Sequence, residues 1–182
     1  RNSNKRIVDL WYSLGNAAVH VVETCETVVC KGLVLSRELD LKNNLDFLTI
    51  ELPSKRKLYY ANPSIRQNSW GALVITYDGM DQTTKKWTKL DTYGGKLVEN
   101  VVQAIARDCL AESITRLTGL GYEIVMHIHD EVVIEAPLDL DVDTICKVMG
   151  QQISWAKDLL LKADGYETQY YKKDWLFIKA RR

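Results

Sequence analysis

Three side chains that can bind metal ions or transfer protons lie side by side at His129, Asp130 and Glu131. They stand at the centre of the segment Ile124–Glu135, in which β-branched residues dominate on both sides. Such residues favour strands, so the segment predicts a β-hairpin with almost no loop, whose bend carries the three side chains. Two carboxylates on an apolar hairpin are costly to desolvate, and a bound cation would offset that cost. The alternative is a tight turn whose acidic side chains are simply solvated.

Two kinds of metal site compete for these residues. His127 and His129 share one face of a strand, and together with Asp130 they would supply ligands for zinc in a hydrolase. That site needs a further ligand, and His20 is the one histidine left among the three in the chain. Mg²⁺ instead takes carboxylate oxygens, keeps several waters and is completed by substrate phosphates. Asp130, at a bend and facing a basic region, suits Mg²⁺ better.

Three helical patterns surround the hairpin in the sequence. Apolar residues recur at steps of three and four from Asn4 to Lys31, which predicts a long helix that ends at Gly32. A second helical pattern runs from Leu97 to Leu117. A third helix begins near Asp141, and its apolar side continues to Ala156.

The strand patterns predict the fold class. Leu45–Leu52 and Lys57–Ala61 form a predicted hairpin with a basic tip, Ala72–Tyr77 is a further strand, and Tyr166–Lys172 is the last. Hairpins dominate over βαβ units along the chain. The sequence therefore predicts an α+β fold in which an antiparallel sheet carries the catalytic hairpin and packs against long helices.

Length and composition exclude several classes of protein. The 182 residues suffice for one domain, and the 46% hydrophobic and 26% charged residues are typical of a soluble globular protein. No apolar run approaches the ~18 residues of a membrane span. The four cysteines form no CxxC pair and predict reduced core residues of an intracellular protein. No P-loop, GxGxxG, HExxH or GxSxG motif occurs, so common nucleotide-binding and hydrolase sites lack their sequence signals.

Charge is distributed unevenly although the net charge is zero. Residues 54–96 contain eight basic side chains against three acidic ones, a net charge of +5. Residues 97–150 contain ten acidic side chains against three basic ones, a net charge of −7. A basic region beside an acidic one suits a protein that holds a polyanion and also binds cations.

Two long stretches of the chain resemble family A DNA polymerases, those similar to bacterial DNA polymerase I. HIHDEVVIE, residues 127–135, resembles motif C of that family. YGGKLVENVVQAIARD, residues 93–108, resembles the helix that precedes motif C in phage-type members. The opening RNSNKRIVDLWYSL is similar to the stretch after the fingers helix, and ADGYETQYYKKD is similar to the C-terminal strand. The resemblance therefore runs along nearly the whole chain.

The resemblance implies a partial polymerase palm. Residues 1–182 would form a single domain, with residues 1–35 as the long helix after the fingers and residues 36–182 as the palm. The chain begins with Arg1 rather than methionine, so we expect it to be the C-terminal part of a longer polymerase. The implied setting is the cytoplasm of a bacterial or phage-infected cell.

The resemblance also implies catalytic residues. Asp130 matches the motif C aspartate that binds the catalytic Mg²⁺ pair. Glu131 matches its acidic neighbour, with a supporting role at the metal. His129 matches the histidine that lies near the primer 3′ end.

The implied partners are primer–template DNA and deoxynucleoside triphosphates. Gln103 matches a helix glutamine that contacts the minor groove, where every base pair presents similar acceptors. Lys96 and Arg107 are assigned to DNA phosphates from their charge and position alone.

Two parts of the family's active site have no match in the chain. They are the second aspartate, from motif A, and the fingers lysine that binds the incoming triphosphate. A two-metal site needs carboxylates from both strands, so we expect the chain alone to be inactive as a polymerase. The alternatives are a non-catalytic nucleic-acid-binding module and a hydrolase with a metal bound by histidine and aspartate.

Overall fold

The computed structural model describes residues 4–69 and 71–171. In these ranges the chain contains three α-helices and eight β-strands, so the predicted α+β class is confirmed. The helices are α1 Lys5–Thr24, α2 Gly94–Gly119 and α3 Val142–Met149. The strands are β1 Val28–Cys30, β2 Leu33–Asp40, β3 Leu45–Glu51, β4 Lys57–Gln67, β5 Leu73–Met80, β6 Trp87–Thr92, β7 Glu123–Ile128 and β8 Glu131–Glu135.

The chain divides into two compact units, Arg1–Ile105 and Ala106–Arg182. The first contains a six-stranded antiparallel sheet in the order β1 to β6, so each strand pairs with the next one along the chain. Helix α1 packs on this sheet, and the first turns of α2 add to the same core. The fully buried side chains of this core are Leu14, Ala18, Val21, Leu35, Leu48, Ile50 and Leu97. The expected single domain stays a prediction.

Helix α1 is shorter than the sequence predicts. Its apolar side is buried from Leu14 to Val22, whereas Ile7 is exposed. The helix ends at Thr24, where Cys25 adopts a left-handed conformation with φ 62°. Gly32, the predicted helix stop, instead forms the turn between β1 and β2 together with Lys31. Both turn residues have positive φ, which is typical of a two-residue hairpin turn. The prediction of one helix over residues 1–35 is therefore wrong after Thr24, because β-branched residues follow it and pair as β1.

The predicted hairpin with the basic tip is present as β3 and β4, but its basic side chains are bound within the protein. Lys55 Nζ lies 2.9 Å from Glu51 Oε1, and Lys57 Nζ donates to Glu38 Oε1 at 2.6 Å. That hydrogen bond from Lys57 lowers the pKa of the Glu38 carboxyl. Arg56 Nη2 donates to a backbone carbonyl on α2 at 2.8 Å. The tip is thus part of the fold's own polar network.

Besides β1, two strands of the sheet have no counterpart in the sequence prediction. Strand β2 contains Arg37 and Glu38, which are ion-paired with Asp46 on β3 and Lys57 on β4. Strand β6 follows a polar stretch of the chain, and Thr92 is its one fully buried residue. Charged side chains of β2 and β6 form ion pairs with residues on neighbouring strands. No local sequence pattern reveals these pairs. The predicted strand Ala72–Tyr77 is confirmed as β5.

The second unit has a small core of its own. Leu117, Ile145 and Val148 are buried there, and residues of the β7–β8 hairpin pack against them. Strands β7 and β8 form a separate two-stranded sheet, so the prediction that the main sheet carries this hairpin is wrong. The apolar side of the hairpin is covered by helix residues instead of continuing a larger sheet.

Helix α3 begins where the sequence predicts and ends early. The Asp141 side chain accepts the N–H of Asp143 at 3.1 Å and the hydroxyl of Thr144 at 2.9 Å. The Thr144 hydroxyl and the Asp143 N–H lower the pKa of the Asp141 carboxyl. The helix stops at Met149, so the predicted extension to Ala156 is wrong.

Further expectations have mixed outcomes. Residues 166–171 form no strand, and the end of the predicted Tyr166–Lys172 strand lies outside the described residues. All four cysteines are free thiols. Cys30 and Cys109 are buried as expected, whereas Cys25 is exposed because it caps α1. Among the described residues, no helix is both long and apolar enough to cross a membrane.

The close approach of α1 and the start of α2 predicts the effect of one substitution. A Cβ atom at Gly94 would overlap the backbone carbonyl oxygen of Trp11. Gly94→Ala should therefore lower the free energy of unfolding by about 1–3 kcal/mol, measured by urea denaturation. The control is Gly119→Ala, at the end of the same helix with no atom within 4 Å. It should change stability by less than about 1 kcal/mol. Equal losses in both variants would contradict the close helix contact.

Candidate functional site

The bend between β7 and β8 contains only two residues. Ile128 pairs with Glu131, which leaves His129 and Asp130 to turn the chain. His129 has φ 51°, a left-handed conformation that most residues with a side chain avoid and that histidine adopts more often than most. The predicted hairpin with almost no loop is therefore confirmed. It places Asp130 in the turn and Glu131 at the first position of β8.

The arms of the hairpin are positioned by apolar packing. Ile124 pairs with Ile134, and His127 pairs with Val132. Ile124, Val132 and Ile134 pack against the buried cluster of Leu117, Ile145 and Val148. An irregularity in the pairing between Ile124 and Met126 interrupts the strict alternation of β7. The apolar packing of the two arms therefore fixes the register, and the register determines which residues form the bend.

The side chains of His129, Asp130 and Glu131 are all exposed. The three residues are consecutive in the sequence and lie at the bend, as the sequence predicts. Within residues 4–69 and 71–171, no three His, Cys, Asp or Glu side chains form a group that could hold a metal ion. His127, His129 and Asp130, the ligands of the alternative zinc site, therefore do not converge. The left-handed turn at His129 separates it from the regular strand that carries His127.

Arg107 and His127 meet in the second unit. Arg107 Nη1 donates to His127 Nδ1 across 3.4 Å, which joins α2 to β7. Sequence reasoning treated these residues separately, because twenty residues separate them in the chain. A guanidinium has five N–H groups, so Arg107 retains donors for another partner such as a phosphate. Its predicted contact with DNA stays a prediction.

Gln103 and Lys96, the remaining predicted DNA-binding residues, lie on the part of α2 that belongs to the first unit. Both side chains are exposed. Gln103 Nε2 donates to Glu99 Oε1, one helical turn earlier, at 3.5 Å. The amide oxygen of Gln103 takes no part in that hydrogen bond. The helix itself is longer than predicted at both ends, because Gly94 and Gly119 are both helical.

The basic region between residues 54 and 96 is largely neutralised by partners. Two of its members, Lys89 and Arg66, form ion pairs with Asp78 and Asp91 across the outer strands of the sheet. With the three bonded residues of the β3–β4 tip, five of the eight basic side chains have partners. Lys85, Lys86 and Lys96 have no such partner among the residues that the structure describes, so the predicted polyanion-binding surface is much smaller than the charge count suggests.

The comparison with known proteins agrees with the sequence resemblance. Over 176 residues the chain is 44% identical to a DNA polymerase of Bacillus phage SP02. The chain is similar to part of a phage DNA polymerase. The match covers 96% of this chain and 26% of that polymerase, so the chain spans about a quarter of the length of its relative. A match over this much of the chain includes the β7–β8 hairpin.

No protein-family model and no solved structure matches the chain. The support for the resemblance to DNA polymerases therefore comes from the sequence similarity to the phage polymerase. The assignment to family A and the comparison with the palm and motif C stay predictions.

The left-handed conformation at His129 can be tested by substitution. His129→Gly should leave the free energy of unfolding unchanged or raise it by up to about 1 kcal/mol, because glycine adopts positive φ without a steric penalty. His129→Val should lower it by about 1–2 kcal/mol, because a β-branched residue is strained there. Glu131→Gly, within β8, should be destabilising, and urea denaturation measures all three. A stable His129→Val variant would show that the bend has another geometry.

Proposed function

We propose that this chain is part of a template-directed DNA polymerase that adds deoxynucleotides to a primer 3′ end with two Mg²⁺ ions. The observation that carries the proposal is the hairpin bend, at which two adjacent carboxylates, Asp130 and Glu131, are exposed on a packed support. The similarity to a phage DNA polymerase over 96% of the chain supports the same conclusion.

The chemistry of the donors at the bend fits Mg²⁺. Asp130 and Glu131 offer carboxylate oxygens, which this ion prefers, and their exposure leaves room for waters and substrate phosphates. Asp130 would be the direct ligand, and Glu131 would support it. Bound ions in such a site stabilise charge on a reacting phosphate and promote ionisation of the attacking hydroxyl. His129, on the same bend, would lie beside the primer 3′ end.

The α2 side chains have a separate role in the proposal. Gln103 would contact the minor groove of the primer–template duplex, where a polar side chain can test base-pair shape at any sequence. Arg107 and Lys96 would contact phosphates, which position DNA without reading its bases.

The two carboxylates constitute half of a two-metal site. Two ions about 4 Å apart need carboxylates from a second strand. We assign that role to the aspartate of motif A in the resembled family, outside the matched residues. The lysine that binds the triphosphate would likewise come from the fingers of a longer polymerase. The 182-residue chain alone should therefore lack polymerase activity.

The catalytic role of the bend is tested with Asp130→Asn in a polymerase that includes this chain. The substitution preserves shape and removes the charge, so single-turnover nucleotide addition should slow at least about a thousandfold. Primer–template affinity should change little, since backbone contacts dominate it. Glu131→Gln should slow the reaction less. Glu135→Gln, an exposed acid at the other end of β8, is the control and should be neutral. An Asp130→Asn enzyme that retains more than a tenth of the parent rate would contradict the proposal.

The incomplete site is tested with the 182-residue chain by itself. Incubation with primer–template, Mg²⁺ and all four deoxynucleotides should give no primer extension. The longer polymerase in the same assay is the positive control. Template-dependent extension by a preparation of verified mass, abolished by Asp130→Asn, would show that the chain contains a complete site.

A further inference from the structure

The turn between β5 and β6 presents two adjacent, exposed basic side chains of the first unit. We define the β5–β6 tip as residues 80–87. Lys85 and Lys86 are exposed there, and neither ammonium group has a partner among the residues that the structure describes. Basic residues on or next to the neighbouring strands form ion pairs with carboxylates or donate to a backbone carbonyl. The tip therefore carries positive charge that the fold itself does not use.

The tip is held in one conformation by Asp81. Its Oδ1 accepts the N–H of Thr83 at 3.0 Å, and the N–H and hydroxyl of Thr84 at 2.6 and 2.9 Å. Its backbone N–H and carbonyl bond to Lys86 and Lys85, both at 2.9 Å. The hydrogen bonds from Thr84 lower the pKa of the Asp81 carboxyl, so the anchor stays charged at neutral pH. The two lysines are thus presented from an ordered turn.

An exposed apolar surface lies directly beside these lysines. Trp87 is 67% exposed, and its cross-strand partner Met80 is 48% exposed. Directly paired residues of antiparallel strands project from the same face, so the two side chains lie next to each other at the end of the hairpin. A tryptophan left this exposed is unusual unless its ring has a partner, because the apolar ring gains from being covered.

We propose that the β5–β6 tip binds single-stranded DNA, with Trp87 stacked on a base and with Lys85 and Lys86 on the adjacent phosphates. An aromatic platform beside basic side chains is the common design of sequence-independent single-strand sites. Double-stranded DNA fits less well, because its bases are already stacked on each other. The inference rests on the proposed function in its choice of DNA as the polyanion, and it concerns residues other than those of the bend.

The stacking contact is tested by titrating the 182-residue chain with a fluorescently labelled oligothymidylate. Trp87→Leu keeps an apolar side chain but removes the aromatic ring, and should weaken binding about tenfold. Trp87→Phe keeps a ring and should retain most of the affinity. Binding to a blunt duplex of the same length should change less than about twofold in both variants. Because Trp87 is exposed, both variants should fold, which circular dichroism checks.

The phosphate contacts are tested by salt dependence. The double substitution Lys85→Gln with Lys86→Gln should reduce the slope of log affinity against log salt by about 1.4, or 0.7 for each lost contact on a single strand. Lys31→Gln with Lys42→Gln is the matched control. It removes the same charge from two other exposed turns of the same sheet and should change the slope by much less.

Several outcomes would overturn the inference. They are no binding of oligothymidylate by the parent chain, unchanged binding in Trp87→Leu, or equal effects of the two lysine pairs. Equal weakening of duplex and single-strand binding would instead assign the tip to duplex DNA. Failure here leaves the proposed function intact, because that is judged by nucleotide addition in Asp130→Asn. Conversely, a normal rate in Asp130→Asn would leave the binding result at the tip standing by itself.

Discussion

The candidate site depends on one constraint, which is that only two residues connect β7 to β8. Apolar packing of Ile124, Val132 and Ile134 fixes the register of the strands, so the chain must turn at His129 and Asp130. This tight turn gives His129 a left-handed conformation, although neither residue of the turn is glycine. A slip of one residue would move every apolar side chain to the other face. The apolar packing of the hairpin therefore determines that the acidic residues lie at its end.

The local features of the fold could be predicted from the sequence. The β7–β8 hairpin, the β3–β4 hairpin and the start of α3 at Asp141 each follow from patterns within about ten residues. Features that depend on distant partners could not be predicted. Strand β2 is stabilised by an ion pair between Arg37 and Asp46 on its neighbour, and the contact between Arg107 and His127 crosses twenty residues. The sequence likewise does not reveal that β7 and β8 form a sheet of their own, since alternation does not identify a strand's neighbours.

Charge counted along the chain differs from charge available at the surface. Residues 54–96 have a net charge of +5, yet four of their eight basic side chains form ion pairs within the first unit. Ion pairs on a sheet bring together residues from different strands, so a sequence count overestimates the surface that a polyanion would meet. What remains is local, and at the β5–β6 tip it adjoins an exposed tryptophan. DNA contacts of this chain are therefore expected at a few defined places rather than over a broad basic face.

The proposed function requires that a divalent ion binds at the β7–β8 bend during catalysis. The most direct measurement replaces Mg²⁺ with Fe²⁺ in a polymerase that includes this chain, bound to primer–template and nucleotide. Hydroxyl radicals generated at the bound iron with ascorbate and peroxide then cut the nearby backbone. We expect a cut at residues 129–131 that excess Mg²⁺ suppresses and that Asp130→Asn removes. Cuts confined to other parts of the polymerase, with residues 129–131 intact, would contradict it.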